Sequence, residues 1–131
     1  VVTAPSEAGV LVAFIAEVGI SFGMMLMVLF ANNTRRLARY TGLFAGLLVA
    51  LYITFESPLS GMSMNPARSL ASALPSGHWT AFWIYLIAPP LGMLLAAQAY
   101  LTWKGRHAVH CAKLHHQNDK RCIFCDFQAG K

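Results

Sequence analysis

Apolar residues fall into three long runs separated by short polar stretches, and these runs predict membrane-crossing helices over residues 8–31, 38–56 and 80–103. A helix needs about 20 apolar residues to cross a hydrocarbon core of ~30 Å. The first run is interrupted by Glu17 and small polar groups. It lacks a basic lead and is too long for a secretory signal peptide. The second reaches spanning length when it begins near Leu37. The third carries Pro89-Pro90 in its interior, where a kink is expected and neighbouring helices must satisfy the freed carbonyls.

Between the second and third runs lies a fourth, shorter helical pattern. Asn65 is a strong N-cap residue and Pro66 suits the first helical position, so a helix is predicted to start there. Pro75, Ser76 and Gly77 are expected to end it, giving a half-helix over residues 65–74 that reaches roughly 14 Å, about half of the hydrocarbon thickness. A half-helix among spans points its positive N-terminal end and free N–H groups at the midplane. Asn65 adds a side-chain amide donor and Arg68 adds five donors with a permanent charge. An arginine among spans is costly unless it faces water or a partner. This stretch therefore reads as a pore lining that holds the oxygen of a small neutral solute and repels cations and protons.

Composition agrees with a membrane setting: 56% of the 131 residues are hydrophobic and 11% charged, against about 25% charged in a soluble domain. Mean hydropathy is +0.52. Nine of the ten Lys and Arg residues lie in the 35–39 turn or after Trp103; the tenth is Arg68. The positive-inside rule then places that turn and the C-terminal tail in the cytoplasm and the N-terminus outside. Trp79, Tyr100 and Trp103 fall near span ends, where interfacial aromatics belong. The net charge of +5 is thus a topology signal. No nucleic-acid signature accompanies it, so that partner is excluded. No nucleophile–base pair, phosphate loop or paired carboxylates occur within the spans, which argues against an enzyme.

Small residues recur in the first span (Gly9, Ala13, Ala16, Gly19), the second (Gly42, Ala45, Gly46, Ala50) and the third (Gly92, Ala96, Ala97), a spacing that lets helix backbones approach closely. The Gly61-Met62-Ser63-Met64-Asn65-Pro66-Ala67-Arg68-Ser69 stretch, followed by His78-Trp79, Trp83-Ile84-Tyr85 and Ala88-Pro89-Pro90-Leu91-Gly92, resembles the second half of an aquaporin, or major intrinsic protein. Ala13-Phe14-Ile15-Ala16-Glu17 resembles the span that opens that half. The resemblance implies an all-α polytopic fold, three transmembrane helices plus one re-entrant half-helix, forming half of an inverted-repeat bundle. It implies that Asn65, Pro66 and Ala67 match one of two midplane motifs, that Arg68 matches the arginine of the outer constriction, and that Met62 and Ile53 contribute to the same constriction. Ile53 stands where strictly water-selective members have His, which implies a different solute range. Homotetramers are the implied assembly, water or a small neutral solute such as glycerol the implied permeant, and lipid of a plasma or inner membrane the implied surroundings.

Glu17 has two readings: a proton relay, or a structural acceptor of backbone N–H groups from the re-entrant segment. The resemblance implies the second. Glu56 reads as a solvated loop charge, and His78 as an interfacial or packing histidine. One Asn-Pro-Ala motif and three spans are half of what the resemblance requires, so the chain is expected to be part of a longer channel whose N-terminal half pairs with it. The domain reading is residues 1–103 as the channel half and 104–131 as a cytoplasmic tail. That tail holds His110, Cys111, His115, His116, Cys122 and Cys125. Its readings are a zinc site, redox-sensitive thiols, or a basic membrane-proximal extension. Two functions remain in play: a passive channel acting through Asn65 and Arg68, or a membrane-anchored metal- or thiol-binding module acting through the tail. A non-conducting fragment is a third outcome.

Overall fold

A computed structural model describes residues 3–34 and 36–105. Among these residues five α-helices follow in order: α1 (Val10–Asn32), α2 (Thr41–Phe55) entered through a 3-10 turn (Ala38–Tyr40), α3 (Ser57–Ser60), α4 (Pro66–Ser76) and α5 (Trp83–Lys104). Val10–Asn32, Ala38–Phe55 and Trp83–Lys104 are long and apolar enough to cross a membrane. Helix α4 has 11 residues, about 16 Å, so it reaches only half-way.

The ends differ from the sequence expectation for local reasons. Gly9, at φ 99°, precedes α1. At its other end the Asn33 side-chain amide donates to Leu29 O at 2.8 Å and Thr34 Oγ1 donates to Phe30 O at 2.8 Å, closing free carbonyls. Helix α5 starts at Trp83 rather than near residue 80, because Ala81 takes a positive φ of 50° that breaks the helix ahead of it. Pro75 does not end α4. It sits in the last turn, where the Ser76 hydroxyl donates to Ser72 O at 2.7 Å and left-handed Gly77 donates its N–H to Ala73 O at 2.9 Å. The connection expected over 56–60 contains a one-turn helix, α3, closed by Gly61 at φ 79°.

Helices α1 and α5 form the main packed pair, with Ala13, Ile84, Tyr85 and Ala88 fully buried between them and Phe14, Val18 and Ala81 against that core. Gly92 is what permits the approach: a Cβ there would run into Val18 O and lie 3.1 Å from Phe22 N and Ser21 Cβ. Helix α5 runs continuously through Pro89 and Pro90. Each lacks an N–H, which leaves the carbonyls of Tyr85 and Leu86 without their helical donors. Near its C-terminal end Phe30 meets Tyr100 and Trp103 edge-on, at 5.1 and 5.5 Å, with the Lys104 ammonium 5.6 Å from the Phe30 ring. Helix α2 contacts α1 less extensively and leaves Leu43, Leu47, Leu51 and Phe55 exposed.

The leading residues are part of the fold. Thr3 is buried and its hydroxyl bonds Ser69 Oγ at 2.9 Å on α4, while Ser6 N–H donates to Leu59 O at 3.2 Å. Gly61 makes room for them, since a Cβ would sit 3.0 Å from both Ala4 N and Thr3 Cα. The strand of chain ahead of α1 thus clamps α3 and α4 together.

Candidate functional site

The site is the turn between α3 and α4 and the first residues of α4. Met62 and Met64 take positive φ values of 47° and 53°, a conformation uncommon for residues with side chains. Two such residues cost on the order of 1–3 kcal/mol each and persist only where the surroundings dictate them. Here the surroundings are Glu17. Its Oε1 accepts the Ser60 hydroxyl and the Ser63 N–H, both at 2.7 Å, and its Oε2 accepts the Met64 N–H at 2.9 Å. The carboxylate is fully buried and all three donors come from the re-entrant segment.

A hydroxyl cluster fastens the other side of the turn. Ser63 Oγ contacts Ser69 Oγ at 2.5 Å and donates to Asn65 O at 2.9 Å, while Ser69 is reached by Thr3. Tyr85, buried on α5, donates to Ser60 O at 2.6 Å. The turn is therefore bound to α1 through Glu17, to α5 through Tyr85 and to α4 through Ser69.

Helix α4 begins at Asn65, whose backbone is extended and whose Oδ1 accepts the Ala67 N–H at 2.9 Å. That bond uses the acceptor end of the amide and leaves its N–H2 end as a donor. Pro66 occupies the first helical position. Asn65, Ala67 and Arg68 are exposed in the described chain. Arg68 Nη1 donates to Met62 Sδ at 3.4 Å, a weak bond that orients the guanidinium over the buried Met62 side chain. Among the described residues no carboxylate pairs with it, so most of its donors remain directed outward.

Glu17, Met62, Asn65 and Arg68 thus meet around one turn. Ile53, near the end of α2, is 48% exposed and takes no part in that polar network. Glu56 corrects the sequence reading: it is only 7% exposed and its Oε1 is in hydrogen-bond contact with the Ser60 hydroxyl. Burial raises its carboxyl above the ordinary range, the Ser60 bond opposes this, and the Glu17 charge adds to it. A solvated loop charge was expected because Glu56 lies between two elements; the one-turn helix α3 instead brings Ser60 back beneath it. Ser60, Ser63, Ser69, Tyr85 and Thr3 carry no local signal for these roles, since their partners lie 25 to 69 positions away except within the turn. At Tyr85, a buried tyrosine hydroxyl's need for a partner becomes informative only once its burial on α5 is known. His78 is exposed, with its ring Nδ1 3.3 Å from Ser76 O.

Among the described residues no group of three or more His, Cys, Asp or Glu side chains could hold a metal. The tail readings on His110, Cys111, His115, His116, Cys122 and Cys125 lie outside the described residues.

Comparison with known proteins places this arrangement in a family. The profile described as Major intrinsic protein matches residues 1–100. Aquaporin NIP3-1 of Zea mays is 40% identical over 95 residues, covering 72% of this chain and 32% of the relative. Aquaporin NIP6-1 of Arabidopsis thaliana is 39% identical over 100 residues, 76% of this chain and 32% of the relative. Aquaporin NIP2-3 of Zea mays is 36% identical over 102 residues, 77% and 34% respectively. The chain spans about a third of the length of these curated relatives. It belongs to the major intrinsic protein family and is an integral membrane protein.

Proposed function

We propose that this member of the major intrinsic protein family supplies one wall of a passive channel for water or small neutral solutes, with the Asn65 amide and the Arg68 guanidinium donating to the permeant's oxygen. The observation that carries this reading is the division of labour at Asn65: Oδ1 caps the Ala67 N–H, so the N–H2 end is what the amide presents outward, beside an arginine with no carboxylate partner among the described residues. Donors alone, at the positive end of a half-helix, suit a solute that offers lone pairs. The same positive potential opposes cations, and a water file that must accept from fixed donors is poorly arranged to pass protons. Met62 sets the guanidinium's position through its sulfur, and Ile53 is assigned to the wall of the same constriction. Glu17 acts one step back: it holds the turn and touches no permeant. The opposing wall and the tetrameric assembly belong to this reading too, with polypeptide equivalent to the other two thirds of the relatives supplying the former.

Stopped-flow light scattering of vesicles containing the protein that carries this chain tests the reading. Asn65→Ala and Arg68→Ala are expected to change osmotic water or glycerol flux per molecule, with Arg68→Ala also raising cation leak. Flux unchanged in both would remove the basis for the assignment.

A further inference from the structure

Glu56 and Glu17 share one serine hydroxyl, and the protons do not add up if both carboxyls are ionised. Ser60 Oγ lies 2.7 Å from Glu17 Oε1, is in hydrogen-bond contact with Glu56 Oε1, and accepts the Met62 N–H at 3.1 Å. A serine hydroxyl has one proton to give and two lone pairs to accept with. One proton cannot fill both close contacts to carboxyl oxygens. With both groups charged, one contact would set lone pairs against each other in a buried place. A second proton closes the count: Ser60 then gives one hydrogen bond and accepts two.

The neighbours say which carboxyl holds that proton. Both Glu17 oxygens accept backbone N–H groups, from Ser63 and Met64, so its fixed neighbours in the turn are donors, which a carboxylate with lone pairs on both oxygens satisfies. Glu56 Oε2 is buried and has no donor among the described residues. Apart from the shared Ser60 hydroxyl, the groups that face Glu56 do nothing to hold a charge there. From α1 comes the Glu17 anion; from α5 comes Tyr85, whose proton goes to Ser60 O; from α2 the Tyr52 carbonyl accepts the Glu56 N–H. No cation contributes to its environment among the described residues.

We propose that Glu56 is a positioning residue, the protonated end of a Glu56–Ser60–Glu17 chain that fixes the turn carrying Met64, Asn65 and Arg68. Glu56 Oε1–H donates to Ser60 Oγ, and Ser60 Oγ–H donates to Glu17 Oε1. Removing the proton leaves two anions on one hydroxyl and loosens α3 from α1. The sign follows from burial raising the folded-state value: the stabilisation is complete at acid pH and is lost as pH rises through that value. The structural claim stands without the channel reading; its consequence for flux rests on it.

Infrared spectroscopy of the protein in lipid vesicles, with glutamate carboxyls isotope-labelled, tests the proposal. At pH 7 a protonated glutamate C=O band is expected, absent in Glu56→Gln. In Glu56→Asp the band should pass from the glutamate label to an aspartate label, a variant that keeps the carboxyl should Gln disturb folding. No protonated band in the wild type, or a band that survives in Glu56→Gln, overturns the proposal. A second readout is amide protection at Ser63 and Met64, corrected for the intrinsic pH dependence of exchange. It should fall with rising pH in the wild type and stay level in Glu56→Gln, whose amide can still donate to Ser60. Protection that falls equally in both contradicts the positioning role. Neither readout involves transport, so their failure leaves the channel reading standing, and failure of the Asn65 and Arg68 flux experiment leaves this proposal standing.

Discussion

The Ser63 N–H points at Glu17 Oε1 from 2.7 Å, across 46 positions of sequence. With the Met64 N–H on Oε2 and the Ser60 hydroxyl on Oε1, it makes a single carboxylate the receptor for a backbone turn that would otherwise be strained. That relationship ties the first span to the half-helix and sets where Asn65 and Arg68 stand.

Replacing Glu17 with Gln keeps the volume but turns one acceptor into a donor that faces an N–H. The loss of charged hydrogen bonds and one unsatisfied amide are expected to cost about 2–4 kcal/mol. Thermal unfolding in detergent measures the loss, and amide exchange at Ser63 and Met64 should accelerate before that of the α1–α5 core.

Tyr85→Phe deletes the bond to Ser60 O and leaves a buried carbonyl with one donor fewer. A loss of about 1–2 kcal/mol is expected. A double-mutant cycle with Ser63→Ala should show coupling, since Tyr85 fastens the turn to α5 while Ser63, within the turn, fastens it to Ser69 on α4.

Gly92→Ala places a methyl group on the Val18 carbonyl, backbone that cannot swing aside. Overpacking of about 1–3 kcal/mol is expected, with α1 and α5 forced apart. Gly46→Ala, where a Cβ meets nothing within 4 Å, is the control. It should be neutral or stabilising by up to about 1 kcal/mol in the same unfolding measurement.

Asn65→Ala removes the Ala67 cap and should cost about 0.5–2 kcal/mol. Asn65→Asp retains an acceptor for the cap but has no donor to offer outward, so stability close to wild type with altered flux separates capping from solute binding.

How much of this could be read from the chain depends on how far each cause lies along it. The spans were legible because length and apolarity are properties of the segment itself, and the start of α4 because Asn65 and Pro66 act on their immediate neighbours. Pro75 misled because a proline in a last turn is tolerated when a serine and a left-handed glycine close the carbonyls behind it. One-turn α3 is too short to leave a periodic pattern. Glu56 looked like a loop charge for the same reason, and its burial depends on Ser60 and on Glu17 far upstream. The Thr3 contact to Ser69 was invisible, since a short polar lead reads alike whether docked or free.

The central claim is that Arg68 faces a water path within the membrane. It is tested most directly by Arg68→Cys in a background carrying Cys111→Ser, Cys122→Ser and Cys125→Ser, reconstituted in vesicles and treated with a membrane-impermeant cationic thiol reagent. The account predicts rapid modification from the aqueous phase with a matching loss of osmotic flux. Labelling only by a lipid-soluble maleimide, with flux unchanged, would contradict it.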